Sequence, residues 1–523
     1  MGNFVGIRTT RSTAGPLAFG ADPGDAFFVA ILAERGPVNT QVLANSMSKV
    51  RRVFGGPTPQ PRGVSQTKYS SGYEVLDRFF SKGGRKAVVV RIVGSGATTG
   101  TVTVEDRGST PEDTIKFKGK GPGSWANNYQ VRVEDGTQTD TFRLHVLDPN
   151  GNVVETWDNL KMLGEDLAEV NDGSDYIQLE DLGSSNASPA NRPANDTYTL
   201  GDDTPTAATA ATQGADDNDP SASTIVGSTT AAGKRTGLKA FRSSKYGRGF
   251  IAAPDLDSDT TVVDELEAIG EEYYRIYLSS TDDGADISTA QTERQDHDQY
   301  GTAFYFPRPK VKDDHTGGIK TIPPVGHIAA DWQKAVQSQG PGKVPAGDDF
   351  EINFVRGMET QANGQPYLDG PKGNAETLMS KHINPIYDRN GTGPKVWGGR
   401  AATAENAWKY LHAAYLYNVI ASRVENALEQ LIYDVADEQM FQQVKMGIRG
   451  FMIDLHKEGA FNGAIPGERE TPDPEIHAFA VKCDESLLSD IDKQNGIVRV
   501  DIWFKAALVA ETIEVELSKR VAT

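Results

Sequence analysis

The sequence predicts a multidomain protein of the α/β class, mixed α+β overall. It should contain a βαβ-type core domain, a β-rich domain inserted into that core, and a C-terminal domain of helix plus sheet. Three observations carry this prediction. The 523 residues exceed what one hydrophobic core usually serves. Apolar strand patterns alternate with helix patterns before residue 95 and again after residue 245. Thr-rich segments with period-two alternation fill the part between them.

The core domain begins after an irregular N-terminal arm, residues 1–24. A continuously apolar strand is predicted at 27–33, helices at 47–54 and 72–81, and another apolar strand at 87–93. Strand, helix and strand at this spacing are typical of a parallel βαβ unit.

The inserted domain is predicted at 96–244, where alternating strands such as 101–104 and 129–133 are separated by glycine turns. Within it, residues 183–232 are mostly Ala, Ser, Thr, Asp, Gly and Asn. Because few large apolar side chains are available there for burial, we expect a flexible loop.

The α/β pattern resumes at 249–255 and continues with a helix at 262–270 and apolar-rich stretches at 273–278 and 303–306. The middle α/β domain is therefore assigned to residues 25–95 and 245–390, which close around the insertion.

The C-terminal domain, residues 391–523, contains a long predicted helix at 404–435. Its apolar residues fall on two faces, which predicts a helix that lies between two layers. One face carries Trp408, Leu411 and Tyr415, and the other carries Leu416, Ile420, Val424, Leu428 and Leu431.

Two amphipathic strands, 497–504 and 512–517, joined by a linker at 505–511, are predicted in the last segment. The second strand, 512–517, is placed where it is able to leave its own subunit and pair with the sheet edge of another. The residues expected to take part in this inter-subunit strand pairing are Val498, Val500, Ile502, Phe504, Thr512, Ile513, Val515 and Leu517.

Composition excludes several function classes. A formal net charge of −19 argues against direct nucleic-acid binding, because nucleic-acid binders need a large positive surface. The one basic stretch, 234–248, is interpreted as a solvated or subunit-pairing face. No apolar run is long enough to span a membrane, so no membrane insertion is expected. Cys483 is the only cysteine, which rules out an intrachain disulfide and favours folding in a reducing cytoplasm.

The motifs that suggest chemistry are incomplete. Gly94-Ser95-Gly96 follows a strand as in dinucleotide-binding folds, but 101–105 alternates like a strand where that motif needs a helix. Asp255, Asp257 and Asp259 alternate as in a calcium loop, but Thr260 stands where an EF-hand needs glycine. The eight histidines show no metal-ligand spacing. We therefore expect no catalytic residue, no cofactor and no metal ligand.

Several segments, in the same chain order, resemble the contractile tail sheath proteins of phages. Val396-Trp397-Gly398-Gly399-Arg400, followed by Trp408-Lys409-Tyr410, is similar to the segment that leads into the long helix of that family. Other similar segments lie at 29–37, 54–55, 78–91, 121–128, 304–307, 322–329, 382–386, 451–463, 479–484 and 510–513. Their common order is more specific than any one of them. Ala14-Gly15-Pro16 departs from the family's Pro-Gly-Val, and Ala329-Ala330-Asp331-Trp332 from its Ala-Gly with an arginine.

The resemblance implies a structural subunit and not an enzyme. Such a subunit polymerises into a helical sleeve of stacked, hexameric rings around a tail tube, and contracts to drive the tube through the host envelope. Its partners would be other copies of itself and the tail tube, baseplate and tail terminator proteins. It would be assembled in the host cytoplasm and located in the virion.

The resemblance also assigns roles to the parts of the chain. The N-terminal arm would supply an inter-subunit strand, and the insertion would project outward. The C-terminal domain would be the assembly domain that faces the inner tube, with Arg423 and Glu425 of its long helix as tube-facing residues.

Two other classes stay open at this point. One is a static virion or tail-tube-like protein, although tube subunits are usually much shorter and lack the long helix. The other is a nucleotide-dependent α/β enzyme, against which the strand pattern after Gly100 argues.

Overall fold

The computed structural model describes residues 17, 19–20, 24–57, 71–204, 206–217, 219–314, 316–368, 370–389, 391–467, 470–509 and 511. No helix in these ranges is long and apolar enough to cross a membrane.

The first part of the chain builds three strands of a large sheet and two helices. These elements are β1 (Ala26–Ile31), β2 (Val42–Ala44), α1 (Met47–Phe54), α2 (Gly72–Ser81) and β3 (Ala87–Arg91). Both helices have their predicted bounds. Ser46 begins α1 by accepting the Lys49 amide, and Gly55 ends it with a φ of 86° that favours glycine.

The chain then enters the insertion, which has two four-stranded antiparallel sheets, β10-β6-β7-β8 and β11-β4-β5-β9. The sheets share a core that includes Val102, Phe117, Val131 and Leu144. The elements are β4 (Thr101–Glu105), β5 (Asp113–Gly119), β6 (Gln130–Asp135), β7 (Phe142–Leu147), β8 (Val153–Leu160), α3 (Gly164–Gly173), β9 (Ile177–Asp181), β10 (Thr197–Thr199), β11 (Ala208–Thr212) and α4 (Ala222–Val226).

The segment 183–232 is not the flexible loop that its composition predicts. It supplies the edge strands β10 and β11 and the helix α4. A strand added to the edge of an existing sheet needs few apolar anchors. Tyr198 and Leu200 are fully buried in the core of the insertion, and Ile225 is buried against the large sheet.

The chain returns to the large sheet and completes it, in the order β19-β18-β14-β13-β12-β1-β3-β2. The pairs from β18 to β3 are parallel, and β19 and β2 are antiparallel edges. The elements are β12 (Gly249–Ala252), α5 (Thr260–Glu272), β13 (Arg275–Ser280), α6 (Ile287–Glu293), β14 (Thr302–Phe306), β15 (Pro309–Lys312), β16 (Ile319–Thr321), α7 (Val325–Gln339), β17 (Gly357–Met358), α8 (Asn374–Ser380), β18 (Asn384–Tyr387) and β19 (Lys395–Val396). The boundary predicted at residue 390 therefore falls between two paired strands.

The large sheet is buried on both faces, as a mostly parallel sheet requires. Along β1, Phe27, Val29 and Ile31 face the core that α2 and α7 cover. Phe28 and Ala30 face the opposite core, which α5 covers.

Arg91, at the end of β3, ties the insertion to the large sheet. Its buried guanidinium donates to the carbonyls of Ala33 (2.9 Å) and Gly36 (3.0 Å), and to that of Pro122 in the insertion (2.8 Å). Gly121 lies so close that a Cβ there would be 2.1 Å from the Gly36 carbonyl oxygen. The Gly121–Asn128 segment is thus the joint between the two domains.

The C-terminal part differs from prediction in three ways. Its elements are α9 (Leu411–Leu428), α10 (Glu438–Lys457), β20 (Phe479–Lys482), α11 (Asp490–Gln494) and β21 (Asp501–Phe504). The long helix predicted at 404–435 is the shorter α9, and α10 was not predicted. The strand predicted at 497–504 begins only at Asp501, because β20 is four residues long and its last pair is Lys482 with Asp501.

Helix α9 lies between two layers, as its two apolar faces predict. Leu411 and Tyr415 belong to the core of the large sheet, and Trp408 packs against it. The opposite face joins a second core with α10, through Leu416, Ile420, Val424 and Leu431, with Leu428 packed against it.

Candidate assembly surface at the chain ends

The strands β20 and β21 form a two-stranded ribbon with an open edge. They pair antiparallel, and among the described residues neither has a second partner strand. Lys505 donates its amide to the Ala478 carbonyl (2.8 Å) on the β20 side. Because amides alternate along a strand, those of Ile502 and Phe504 point away from β20. This edge is able to accept another strand.

The predicted strand residues divide into three groups. Ile502 and Phe504 lie in β21, whereas Val498 and Val500 precede it. The side chains of all four are partly buried against the core between α9 and α10. They therefore hold the ribbon in place, and pairing at its edge must use backbone groups. Thr512, Ile513, Val515 and Leu517 lie outside the described residues.

The start of the predicted linker, residues 505–507, is held by its own subunit. Ala507 donates its amide to the Ala460 carbonyl (3.0 Å), and the Ala507 carbonyl accepts from His412 Nε2 (3.0 Å). Burial lowers the pKa of His412, so the imidazole is neutral at physiological pH with its proton on Nε2. The first residues of this segment are thus not a free hinge.

The end of the same segment is held by an ion pair. The Glu511 carboxylate accepts from Arg400 Nε (2.9 Å) and Nη2 (2.7 Å), and Lys409 Nζ lies 3.5 Å away. The hydrogen bonds from Arg400 lower the pKa of Glu511. We call Arg400, Lys409 and Glu511 the C-terminal clasp.

The Trp397-Gly398-Gly399-Arg400 segment orients this clasp. Arg400 donates its amide to Asn384 Oδ1 (2.8 Å) and its Nη1 to the Met379 carbonyl (2.7 Å). A Cβ at Gly398 would lie 2.7 Å from the same Asn384 oxygen, so a side chain there would push Gly398 away from β18. Trp397 donates its indole N–H to the Tyr387 carbonyl (3.0 Å).

The N-terminal segment is anchored through apolar contacts. Leu17 is 7% exposed and belongs to the core between α9 and α10. Phe19 stacks on Phe451 of α10, with ring centroids 4.5 Å apart and planes 13° apart. Arg423 of α9 donates to the Gly20 carbonyl (2.6 Å) and lies over the Phe451 ring. We call Leu17, Phe19 and Gly20 the N-terminal anchor.

The two residues predicted to face the tube have contacts within the chain. Arg423 holds the N-terminal anchor as described. Glu425 is exposed, and its carboxylate bonds to Tyr274, whose pKa rises to about 12 through burial and through this bond.

A carboxylate of the chain itself, that of Asp217, fills the space beside the glycines that follow β3. Gly96 donates its amide to Asp217 Oδ2 (2.8 Å), and a Cβ at Gly94 would lie 2.1 Å from the Asp217 carboxyl carbon. The close backbone approach that suggested phosphate binding therefore serves to join the entry and exit of the insertion. Within the described residues, no group of His, Cys, Asp and Glu side chains is placed to hold a metal ion.

Comparison of the sequence with known proteins finds tail sheath proteins. The chain matches no family profile. It is 24% identical over 275 residues to the tail sheath protein of Burkholderia phage BcepMu, covering 49% of this chain and 56% of that protein. It is 22% identical over 251 residues to a putative prophage major tail sheath protein of Pseudomonas aeruginosa strain UCBPP-PA14, covering 46% and 61%. The matches therefore span less than two thirds of these relatives.

Comparison of the fold covers nearly the whole chain. The contracted helical sheath of the anti-feeding prophage matches with a TM-score of 0.52 at 14% identity, over 99% of this chain and 100% of that one. The sheath tail protein of Listeria innocua matches with a TM-score of 0.52 at 12% identity, over 93% and 96%. The chain has the fold of these sheath proteins, and its sequence is similar to tail sheath proteins of a phage and a prophage.

Proposed function

We propose that the protein is the sheath subunit of a contractile phage tail. Copies assemble as a helical sleeve of stacked hexameric rings around a tail tube, and contraction of the sleeve drives the tube through the host envelope. The observation that carries this proposal is the fold match to sheath structures over nearly the entire chain, together with the sequence similarity to tail sheath proteins.

Cohesion between subunits comes from donated strands. The part of the N-terminal arm (residues 1–24) that precedes the N-terminal anchor and the strand 512–517 both join the sheet of a neighbour near β21. Support comes from the outward amides of Ile502 and Phe504, and from the N-terminal anchor and the C-terminal clasp, which hold the chain next to each terminal segment. Backbone ladders hold this mesh together while subunits turn as rigid bodies.

The remaining partners follow from the same role. The assembly domain, 391–523, faces the tube, with Arg423 and Glu425 near the contact, and the insertion at 96–244 projects outward. The ends of the sleeve meet the baseplate and the tail terminator. The protein is located in the virion after assembly in the host cytoplasm. The energy for contraction is stored in the extended lattice, so that no nucleotide is consumed.

Electron microscopy of the purified, concentrated protein tests the proposal. A wide, ridged sleeve is expected. A narrow, smooth tube would support a static tube protein instead, and an increase in melting temperature on adding nucleotide would support an enzyme.

Truncation tests the mesh. A chain that ends at Glu511 keeps the C-terminal clasp and loses the strand 512–517. We expect it to fold like the full chain, as judged by circular dichroism, and to form no extended sleeves. A chain that lacks only residues 518–523 is the matched control and should assemble. Normal sleeves from the chain ending at Glu511 would refute strand donation from this end.

A further inference from the structure

The two chain ends are held by contacts of different kinds. The N-terminal anchor is mainly apolar, since Leu17 is buried and Phe19 stacks on an aromatic ring, with one hydrogen bond from Arg423 to the Gly20 carbonyl. The C-terminal clasp is ionic and partly exposed, with 16% of the Arg400 side chain and 22% of the Glu511 side chain accessible. Protonation of the carboxylate and, to a lesser degree, salt weaken such an ion pair but hardly weaken apolar packing, so the clasp is the contact that a change in charge is able to open.

The clasp restrains a short segment of chain, between Ala507 and Glu511. Among the described residues, the last backbone hydrogen bonds before the clasp are those of Ala507, with Ala460 and His412. Between the two holds, Leu508 is 82% exposed. Opening the clasp would free residues 508–511, which add about 13 Å of reach when extended.

We propose that Arg400 and Lys409 are positioning residues that set the reach of the C-terminal strand by holding Glu511, and that this hold opens when the lattice rearranges. The inference rests on the proposed sheath function. With the clasp closed, the strand leaves its subunit from a fixed point, which favours the spacing between subunits in the extended sleeve, before the lattice rearranges. With the clasp open, the same strand bridges a longer gap without leaving its neighbour's sheet.

The other groups around the clasp keep the carboxylate charged. Lys409 adds positive charge beside Arg400, and the Tyr410 hydroxyl also bonds to Glu511. Each of them lowers the pKa of Glu511, so the clasp is closed at neutral pH. Acid should open it as pH falls through this lowered pKa, because protonation removes the charge that the cations hold.

The first test uses unassembled subunits and measures amide exchange at Ala507, the hydrogen-bonded residue next to the clasp, because a freed segment 508–511 should fray back to it. Glu511→Gln should raise the exchange rate about fivefold, as expected for loss of a partly exposed ion pair. Glu511→Asp should restore part of the protection. Glu405→Gln, which neutralises an exposed carboxylate shortly before α9, is the matched control and should leave the exchange rate at Ala507 unchanged.

Salt separates a positioning role from a merely structural one. Raising the salt concentration should speed exchange at Ala507 in the wild type and leave it unchanged in Glu511→Gln, because that variant has no ion pair to screen. Equal salt responses in the two proteins would overturn the proposal.

The second test uses assembled sleeves. Glu511→Gln should lower the fraction of extended sleeves in electron micrographs, relative to wild type and Glu405→Gln. If exchange at Ala507 changes but the extended fraction does not, the clasp holds the chain without setting its reach, and the proposal is wrong. If the wild type forms no sleeves, the sheath function itself fails, while the exchange data still show whether the clasp exists.

Discussion

The N-terminal anchor makes a sharp prediction for two glycines of α10. Gly447 and Gly450 lie one turn apart in this helix. Alanine in place of a helical glycine usually stabilises a helix by about 0.8–1.0 kcal/mol. A Cβ at Gly450 meets nothing within 4 Å, but a Cβ at Gly447 would lie 2.5 Å from the Leu17 Cβ. The two substitutions should therefore have opposite effects.

The magnitudes follow from these contacts. Gly450→Ala should increase the free energy of unfolding by nearly the full helical gain. Gly447→Ala expels Leu17, and exposing a buried leucine costs about 2 kcal/mol. The net effect at Gly447 should be a loss of about 1 kcal/mol. Exchange of the amides at residues 19–20 should increase, because the anchor is displaced.

A double mutant isolates the contact. Leu17→Gly removes both the Cβ and the isobutyl group that a new alanine would meet. In that background Gly447→Ala should stabilise the protein as much as Gly450→Ala does. Urea unfolding followed by circular dichroism at the helix band measures the wild type and the four variants. If Gly447→Ala and Gly450→Ala were equally stabilising in the wild-type background, Leu17 would not pack on α10.

Two further predictions concern buried charges of the core and the joint. Burial raises the pKa of Asp257 to about 6 and that of Glu293 to about 7. Because a raised carboxyl pKa lets the folded state bind a proton at a higher pH than the unfolded chain does, the free energy of unfolding should rise as pH falls from 8 to 5.5. The Asp257→Asn, Glu293→Gln double variant should reduce that slope in urea titrations at each pH. Arg91→Met should lower the free energy of unfolding by about 2–3 kcal/mol, because it leaves buried carbonyls without their charged donor. Arg52→Met, at a side chain that is 58% exposed, should change it by less than about 0.5 kcal/mol in the same assay.

The core of the fold was predictable because its signals are local. Continuous apolar runs identify β1 and β3, and the bounds of α1 follow from a serine cap and a glycine stop. The two-layer position of α9 was also readable from its apolar residues. In each case the residues that decide the structure lie within one element.

Helix α10 was missed although its signal is present. Phe441, Val444, Ile448, Met452 and Leu455 recur at helical spacing and are buried. The two glycines in the middle lower the helix propensity of the segment and hide the pattern. The structure explains Gly447 by the close approach of Leu17, a contact across more than four hundred residues that no local pattern can show.

The contacts of the candidate assembly surface were not predictable for the same reason. Arg400 and Glu511 both stand in segments that resemble the sheath family, yet 111 residues separate them. Sequence spacing gives no means of pairing them. The alternation of Val498 and Val500 predicted strand, but β20 ends before it could pair with them, so the length of the partner strand overrides the local pattern.

One helix sets the positions of both chain ends. Near its start, α9 donates from His412 to Ala507 of the C-terminal segment, and further along Arg423 donates to Gly20 of the N-terminal anchor. His412 and Arg423 are eleven positions apart, which corresponds to about 16 Å along the helix. Because α9 is packed between two cores, it cannot bend to move one end relative to the other. In the proposed sleeve the two exit points would therefore turn together with the subunit, and any change in the distance to a neighbour would be taken up beyond the N-terminal anchor and Ala507. Among the described contacts at the two ends, the ion pair at Glu511, beyond Ala507, is the one that depends on charge alone, so we expect the adjustment to fall on the C-terminal side.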